Sequence, residues 1–196
     1  MAWAGVGEGI GVRRGVAPAQ ATVMPTGSLD LDRRLEGGGW PAGVLTELRV
    51  AQMGIGEVRL LLPALAALSR EGRLMWVAPP YGPYAPALAA HDVVLDHLIV
   101  VRPRTHKEAL WAVGQGLLSP AVGAVVSWFT DIRDQEFRAL QRYAAQGGRW
   151  GFCFLPSGLA PKPSRLRLLL ESVPGGLRIT FVRKAGRPAP PLVVVP

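Results

Sequence analysis

Apolar and polar positions alternate along this chain in blocks that switch between the two-residue period of a strand and the 3.6-residue period of a helix. The first 23 residues show no period and read as a flexible arm, weakly cationic through Arg13 and Arg14. Residues 24–196 read as a single domain. It opens at Met24-Pro25-Thr26-Gly27-Ser28, where Ser28 caps a short helix through Leu35 with Asp30 and Asp32 in its first turn. Gly37-Gly38-Gly39-Trp40-Pro41 stops that helix, and Gly43 to Val50 alternates as a half-buried strand does. A helix near 57–71 follows, although Pro63 requires it to kink or to start later.

Further strands are predicted at Leu74–Val77, Leu98–Val101, Val122–Phe129 and Trp150–Leu155. Helices at Pro86–His91, Glu108–Leu118 and Arg133–Ala145 separate them. That alternation predicts an α/β fold of three layers, a mostly parallel sheet flanked by helices. Leu166–Val173, the turn Pro174-Gly175-Gly176, Leu177–Arg183 and Leu192–Val195 read as antiparallel strands added at one edge.

The 196 residues are 49% apolar, enough for one core without disulfide or metal. A lone cysteine, Cys153, excludes an internal disulfide and fits a reducing compartment. No run is apolar for about 18 residues, and the opening residues make a poor signal peptide. The expected location is the cytoplasm, with no membrane partner. Net charge is +8, yet residues 1–148 hold 14 basic and 13 acidic groups, whereas 149–196 hold eight basic groups and one acid, Glu171. Nineteen of the 22 basic residues are arginine, a side chain suited to phosphate or carboxylate partners.

Few residues offer chemistry. His91, His97 and His106 lack metal-ligand spacing and read as surface histidines, and Cys153 sits in an apolar strand as a buried, inert thiol. The informative segment is Ala51-Gln52-Met53-Gly54-Ile55-Gly56-Glu57-Val58, between the first long strand and its helix. A nucleoside-triphosphatase carries G-x-x-x-x-G-K-[ST] there. Here Gly56 keeps the last glycine, while Ala51, Glu57 and Val58 replace the first glycine, the lysine and the hydroxyl. A carboxylate about 4 Å from a phosphate repels it by roughly 4 kcal/mol at an effective dielectric of 20. Glu57 is instead expected to fill the anion site itself, accepting from free amides at the helix start.

Thr26-Gly27-Ser28-Leu29-Asp30-Leu31-Asp32, Gly37-Gly38-Gly39-Trp40-Pro41-Ala42-Gly43 and Leu45-Thr46-Glu47-Leu48 closely resemble the opening of the RecA-family ATPase core. The likeness continues through Ser69–Arg73, Val94–Leu98 and Val182-Arg183-Lys184, and spans about 24–195. Within that superfamily, Gly37–Pro41, Gly54–Leu65 and Trp76-Val77-Ala78-Pro79-Pro80-Tyr81 are most similar to the ImuA family of SulA/RecA-like proteins, Gly54–Leu65 being the most diagnostic. That resemblance implies an accessory role in SOS-induced translesion DNA synthesis and mutagenesis. Its implied partners are an ImuB-like Y-family polymerase homologue and an error-prone C-family DNA polymerase, with RecA itself as a further candidate. The related SulA proteins imply a second reading, inhibition of cell division by binding FtsZ.

Departures from the RecA pattern shape the remaining expectations. Pro80 stands near the family's catalytic glutamate, and Ser127 or Trp128 near its metal-associated aspartate, with Asp131 beyond the strand end. Thr130–Arg133 and Pro156–Ser164 are short for the family's DNA-binding loops. Together with Glu57 and Val58, these replacements lead to the expectation of a chain that is not an enzyme and holds no cofactor or metal. Partner contacts are then expected at the Pro79–Pro86 loop, through Tyr81 and Tyr84. A C-terminal basic stripe of Arg165, Arg167, Arg178, Arg183, Lys184 and Arg187 is the other candidate, for protein or single-stranded DNA.

Overall fold

A computed structural model describes residues 22–182 and 190–194. An eight-stranded sheet forms its middle layer. In chain order the chain forms β1 (Val23–Met24), α1 (Leu29–Asp32), β2 (Trp40–Pro41), β3 (Leu45–Val50), α2 (Leu62–Glu71), β4 (Arg73–Val77) and α3 (Ala85–Ala90). These are followed by β5 (Leu98–Val101), α4 (His106–Leu118), β6 (Val122–Trp128), α5 (Asp134–Gly147), β7 (Trp150–Pro156), β8 (Arg167–Val173), β9 (Gly176–Phe181) and β10 (Leu192–Val194). The sheet order is β10-β9-β8-β3-β7-β6-β4-β5, while β1 and β2 make a separate antiparallel pair.

The parallel α/β architecture with antiparallel edge strands is therefore present, with two differences from the sequence reading. First, β8 is not antiparallel to its inner neighbour: it runs parallel to β3 and turns antiparallel only toward β9. The connection from β7 crosses over β3 before β8 begins, so six strands share one direction. Second, β3 is buried along its whole length rather than on one face. It lies between β7 and β8, and both of its faces are covered.

One core cluster lies on the α2 face, where Leu48, Trp76, Val126 and Phe154 meet Leu61, Leu65 and Leu68. The other lies under α4 and α5, where Leu45, Val125 and Cys153 meet Val113, Leu117, Phe137 and Leu140. Pro63 is resolved by a later start: a 3-10 turn at Arg59–Leu61 precedes α2, and the proline falls in the first helical turn. Its ring explains Gly27, because a Cβ there would come within 2.6 Å of the Pro63 ring, and φ is +86° besides. Around that glycine the Thr-Gly-Ser segment closes on itself. The Thr26 N–H donates to Asp32 at 2.9 Å, and the Ser28 hydroxyl accepts from Leu31 N–H at 3.4 Å.

Val23 and Met24 pair with Pro41 and Trp40, so the strand β1 begins inside the stretch expected to be an arm; residues 1–21 lie outside the described residues. Among the described residues no helix is long and apolar enough to cross a membrane.

Candidate functional site at the carboxyl edge of the sheet

The parallel strands end together on one edge, where open α/β sheets hold their ligands. A cleft of about 510 Å³ opens there. Its walls come from the chain just after each strand: Gln52 and Met53 after β3, Ala78 after β4, Arg104 to His106 after β5, Phe129 after β6, and Pro156 at the end of β7. Beside it lies an apolar groove of about 240 Å³ between the segment 54–59 and the proline-tyrosine loop. Trp128 and Pro80 border both cavities.

Gly54 and Gly56 adopt left-handed φ of +87° and +89°, which explains why glycine occupies both positions of the loop after β3. Between them and the 3-10 turn, Glu57 is buried, and its carboxylate accepts the Gly54 N–H at 3.1 and 3.3 Å. Glu57 was expected to accept from free amides at the helix start; its donor is instead the loop amide of Gly54. Val58 is half-buried and Ala51 exposed. Ser127 points away from the cleft and donates to the Phe152 carbonyl at 3.2 Å. Asp131 is exposed and borders neither cavity.

Tyr81 and Tyr84, which the sequence offers as contacts, are exposed by 66% and 71% and line the groove. Beneath them Trp76 and Trp128 lie with ring centroids 5.5 Å apart, and Phe154 stacks on Trp128 at 5.3 Å. Of the C-terminal stripe, Arg165, Arg167 and Arg178 fall within the described residues. Arg165 and Arg178 are exposed. Arg167, by contrast, is buried and cannot reach a partner, because its Nε donates to Glu47 at 2.6 Å. Arg183, Lys184 and Arg187 lie outside the described residues.

Two charged networks went unseen in the sequence. Under the 157–166 segment, buried Glu47 pairs with Arg49 at 2.8 Å and with Arg167, and accepts from Ser164 Oγ at 2.6 Å. Arg49 in turn donates to the carbonyls of Ser157, Leu159 and Ala160, and Lys162 reaches Asp134 of α5 at 3.6 Å. The signal available was Glu47 and Arg49 two apart on one strand face.

At the mouth of the cleft, His106 Nε2 lies 3.1 Å from Glu136, and its ring meets Phe129 edge-on at 5.7 Å. Glu136 also accepts from the Arg133 backbone and Nε, each at 2.9 Å. The Arg133 guanidinium, aided by His106, holds the Glu136 carboxyl down at about 2. Thr105 caps α4, accepting the Glu108 N–H at 3.2 Å. Of the other histidines, His91 is exposed. His97 is not a free surface residue, since its Nδ1 donates to the Ser69 carbonyl at 2.6 Å. Cys153 is fully buried, and burial pushes its thiol up to about 12, the inert state expected of it. Among the described residues no cluster of His, Cys, Asp or Glu is arranged to hold a metal ion.

The opening turn built on Gly27, the parallel sheet and the glycine loop after β3 agree with what the chain matches. Over 122 residues, 61% of its length, it is 32% identical to the RecA protein of Lactobacillus acidophilus and 34% identical to that of Thermus thermophilus. The core is RecA-like. Streptococcus pyogenes RecA is 32% identical over the same length. The chain spans about a third of these relatives, 33%, 36% and 32% of their respective lengths. No family model matches. The similarity corrects one expectation. The chain was expected not to be an enzyme, but the proteins it matches are RecA, members of the ATPase family whose pattern it resembles, and nothing in the loop geometry establishes a loss of activity.

Proposed function

We propose that this chain is a RecA-like protein of DNA repair that serves damage-induced translesion synthesis, docking to polymerases in the cytoplasm. The observation that carries the reading is the RecA similarity over 61% of the chain, combined with a phosphate loop whose lysine position holds a buried carboxylate. The finer assignment, to the ImuA family, rests on the Gly54–Leu65 and Trp76–Tyr81 segments. In the fold these come together as the two sides of the aromatic groove.

On this reading the groove takes part of an ImuB-like Y-family polymerase homologue, with an error-prone C-family polymerase and RecA as further members of the assembly. Tyr81 and Tyr84 supply rigid, exposed aromatic surface of the kind that dominates binding energy at interfaces. Among the described residues of the basic stripe, Arg165 and Arg178 are exposed cations for a phosphate backbone.

The test is capture of purified ImuB-like and C-family polymerases by the immobilised full chain, with FtsZ and single-stranded DNA as separate arms. Capture of the ImuB-like protein that weakens at least about tenfold on Tyr81→Ala with Tyr84→Ala supports the reading. Capture of FtsZ alone replaces it with the SulA-like one.

A further inference from the structure

The outer face of the α4/α5 layer carries a surface that the carboxyl edge does not use. Trp111 on α4 is 68% exposed, and Lys107 and Leu118 lie on the same face, one turn before it and two turns after it. On the α5 side Tyr143 is partly exposed, and its ring covers Gly114, where an added Cβ would stand 3.2 Å from the ring. Trp111, Leu118 and Tyr143 thus form a shallow apolar strip along two helices packed side by side. The span from Lys107 to Leu118 is about 16 Å, three helical turns.

The rim of that strip is basic. Lys107 and Arg142 are exposed and form no ion pair among the described residues. The carboxylates nearby are already engaged: Glu108 with the Arg104 backbone, Glu136 with Arg133 and His106, and Asp134 with Lys162. An exposed tryptophan and tyrosine edged by arginine is the composition of an interface hot spot.

We propose that this face docks an acidic amphipathic helix of about three turns from a partner protein, its apolar side on Trp111, Leu118 and Tyr143 and its carboxylates toward the basic rim. Charge decides between occupants. A second copy brings the same exposed cations to this face, so self-association through it sets like charges against one another. A helix matches the strip because its apolar positions recur along one side over the two turns from Trp111 to Leu118, with Lys107 one turn beyond them. The inference does not depend on the translesion reading.

Binding of a fluorescent, end-capped acidic peptide of about 18 residues, with leucines at helical spacing on one face, tests it on the full chain. A peptide of the same composition in scrambled order and an oligo-dT are the parallel probes. The expected result is binding of the amphipathic peptide at least about tenfold tighter than the scrambled one, weakened about tenfold by Trp111→Ala and by Lys107→Glu with Arg142→Glu. All three sites are exposed, so circular dichroism of the variants should match the parent. Equal binding of both peptides, or indifference to Trp111→Ala, overturns the proposal. So does Trp111-dependent binding of oligo-dT in place of the peptide, or a Trp111-dependent dimer by light scattering.

Discussion

The backbone N–H of Gly54 donates to both carboxylate oxygens of Glu57, at 3.3 and 3.1 Å, closing the loop after β3 around a charge of its own. A ligand phosphate would meet that carboxylate at the position where the RecA pattern puts a lysine. Replacing Glu57 with Lys removes a repulsion of roughly 4 kcal/mol at an effective dielectric of 20 and frees the Gly54 amide. Glu57→Lys should therefore bind magnesium-ATP or inorganic phosphate at least about tenfold more tightly than the parent. Calorimetric titration of both proteins checks this, with ATP turnover followed on the same samples.

Glu47 is the hub of the buried network, and its loss leaves Arg49 and Arg167 inside the protein without a carboxylate. Glu47→Gln keeps the shape but not the charge. The expected cost is about 3–5 kcal/mol, because an unpaired buried cation is much worse than a solvated one. Urea unfolding of the variant measures it. A change below about 1 kcal/mol would mean that water reaches the two guanidinium groups.

Acid should act late on Glu136. Its carboxyl is lowered from an ordinary 4.5 to about 2 by Arg133 and His106, so the folded state keeps it ionised where the unfolded chain has taken up the proton. The stability it contributes is complete above about 4.5 and is lost as pH falls from there through about 2. Glu136→Gln should lack that increment. Denaturation midpoints of parent and variant should differ at neutral pH and converge as the pH approaches 2.

Cys153 offers a readout of global opening. Fully buried, with its thiol pushed up to about 12, it should resist alkylation by iodoacetamide at pH 8 in the folded protein. It should react at the rate of a free thiol in denaturant. Mass spectrometry of timed samples distinguishes the two.

Gly27→Ala should destabilise the fold twice over, through a φ of +86° and through a Cβ driven into the Pro63 ring. Roughly 2–4 kcal/mol is the expected loss. The same substitution at Gly148, which shares the left-handed φ but meets nothing within 4 Å, should cost only about 1–2 kcal/mol. Thermal unfolding of the pair separates steric from backbone cost.

Short-range pattern carried the sequence reading as far as local physics reaches. Leu98–Val101 is a strand with the predicted limits, and the Ser28 cap and the α4 and α5 segments lie within a few residues of their predicted ends. Tertiary neighbours account for the departures. Glu47 and Arg49 read as the wet side of a half-buried strand, but the 157–166 segment covers that side, and the charges neutralise one another beneath it. The direction of β8 was hidden for a related reason. Its hairpin with β9 is written in Pro174-Gly175-Gly176, whereas its parallel pairing with β3 joins residues 120 apart, Glu47 and Arg167. Arg167 looked like a surface cation because its two-residue spacing from Arg165 suggested one shared exposed face, whereas the carboxylate that claims it, Glu47, lies 120 residues away in the chain.

Arg49 grips the 157–166 segment through three main-chain oxygens, those of Ser157, Leu159 and Ala160, and none of the segment's own side chains takes part in that grip. Carbonyls belong to every amino acid. The clamp is therefore indifferent to the side chains at 157 and 160; Leu159 packs against the core under α4 and α5 and stays apolar, while the other two positions are free to drift or be rewritten with the crossing in place. That makes them the natural spot for grafting a tag or a new recognition sequence onto this scaffold.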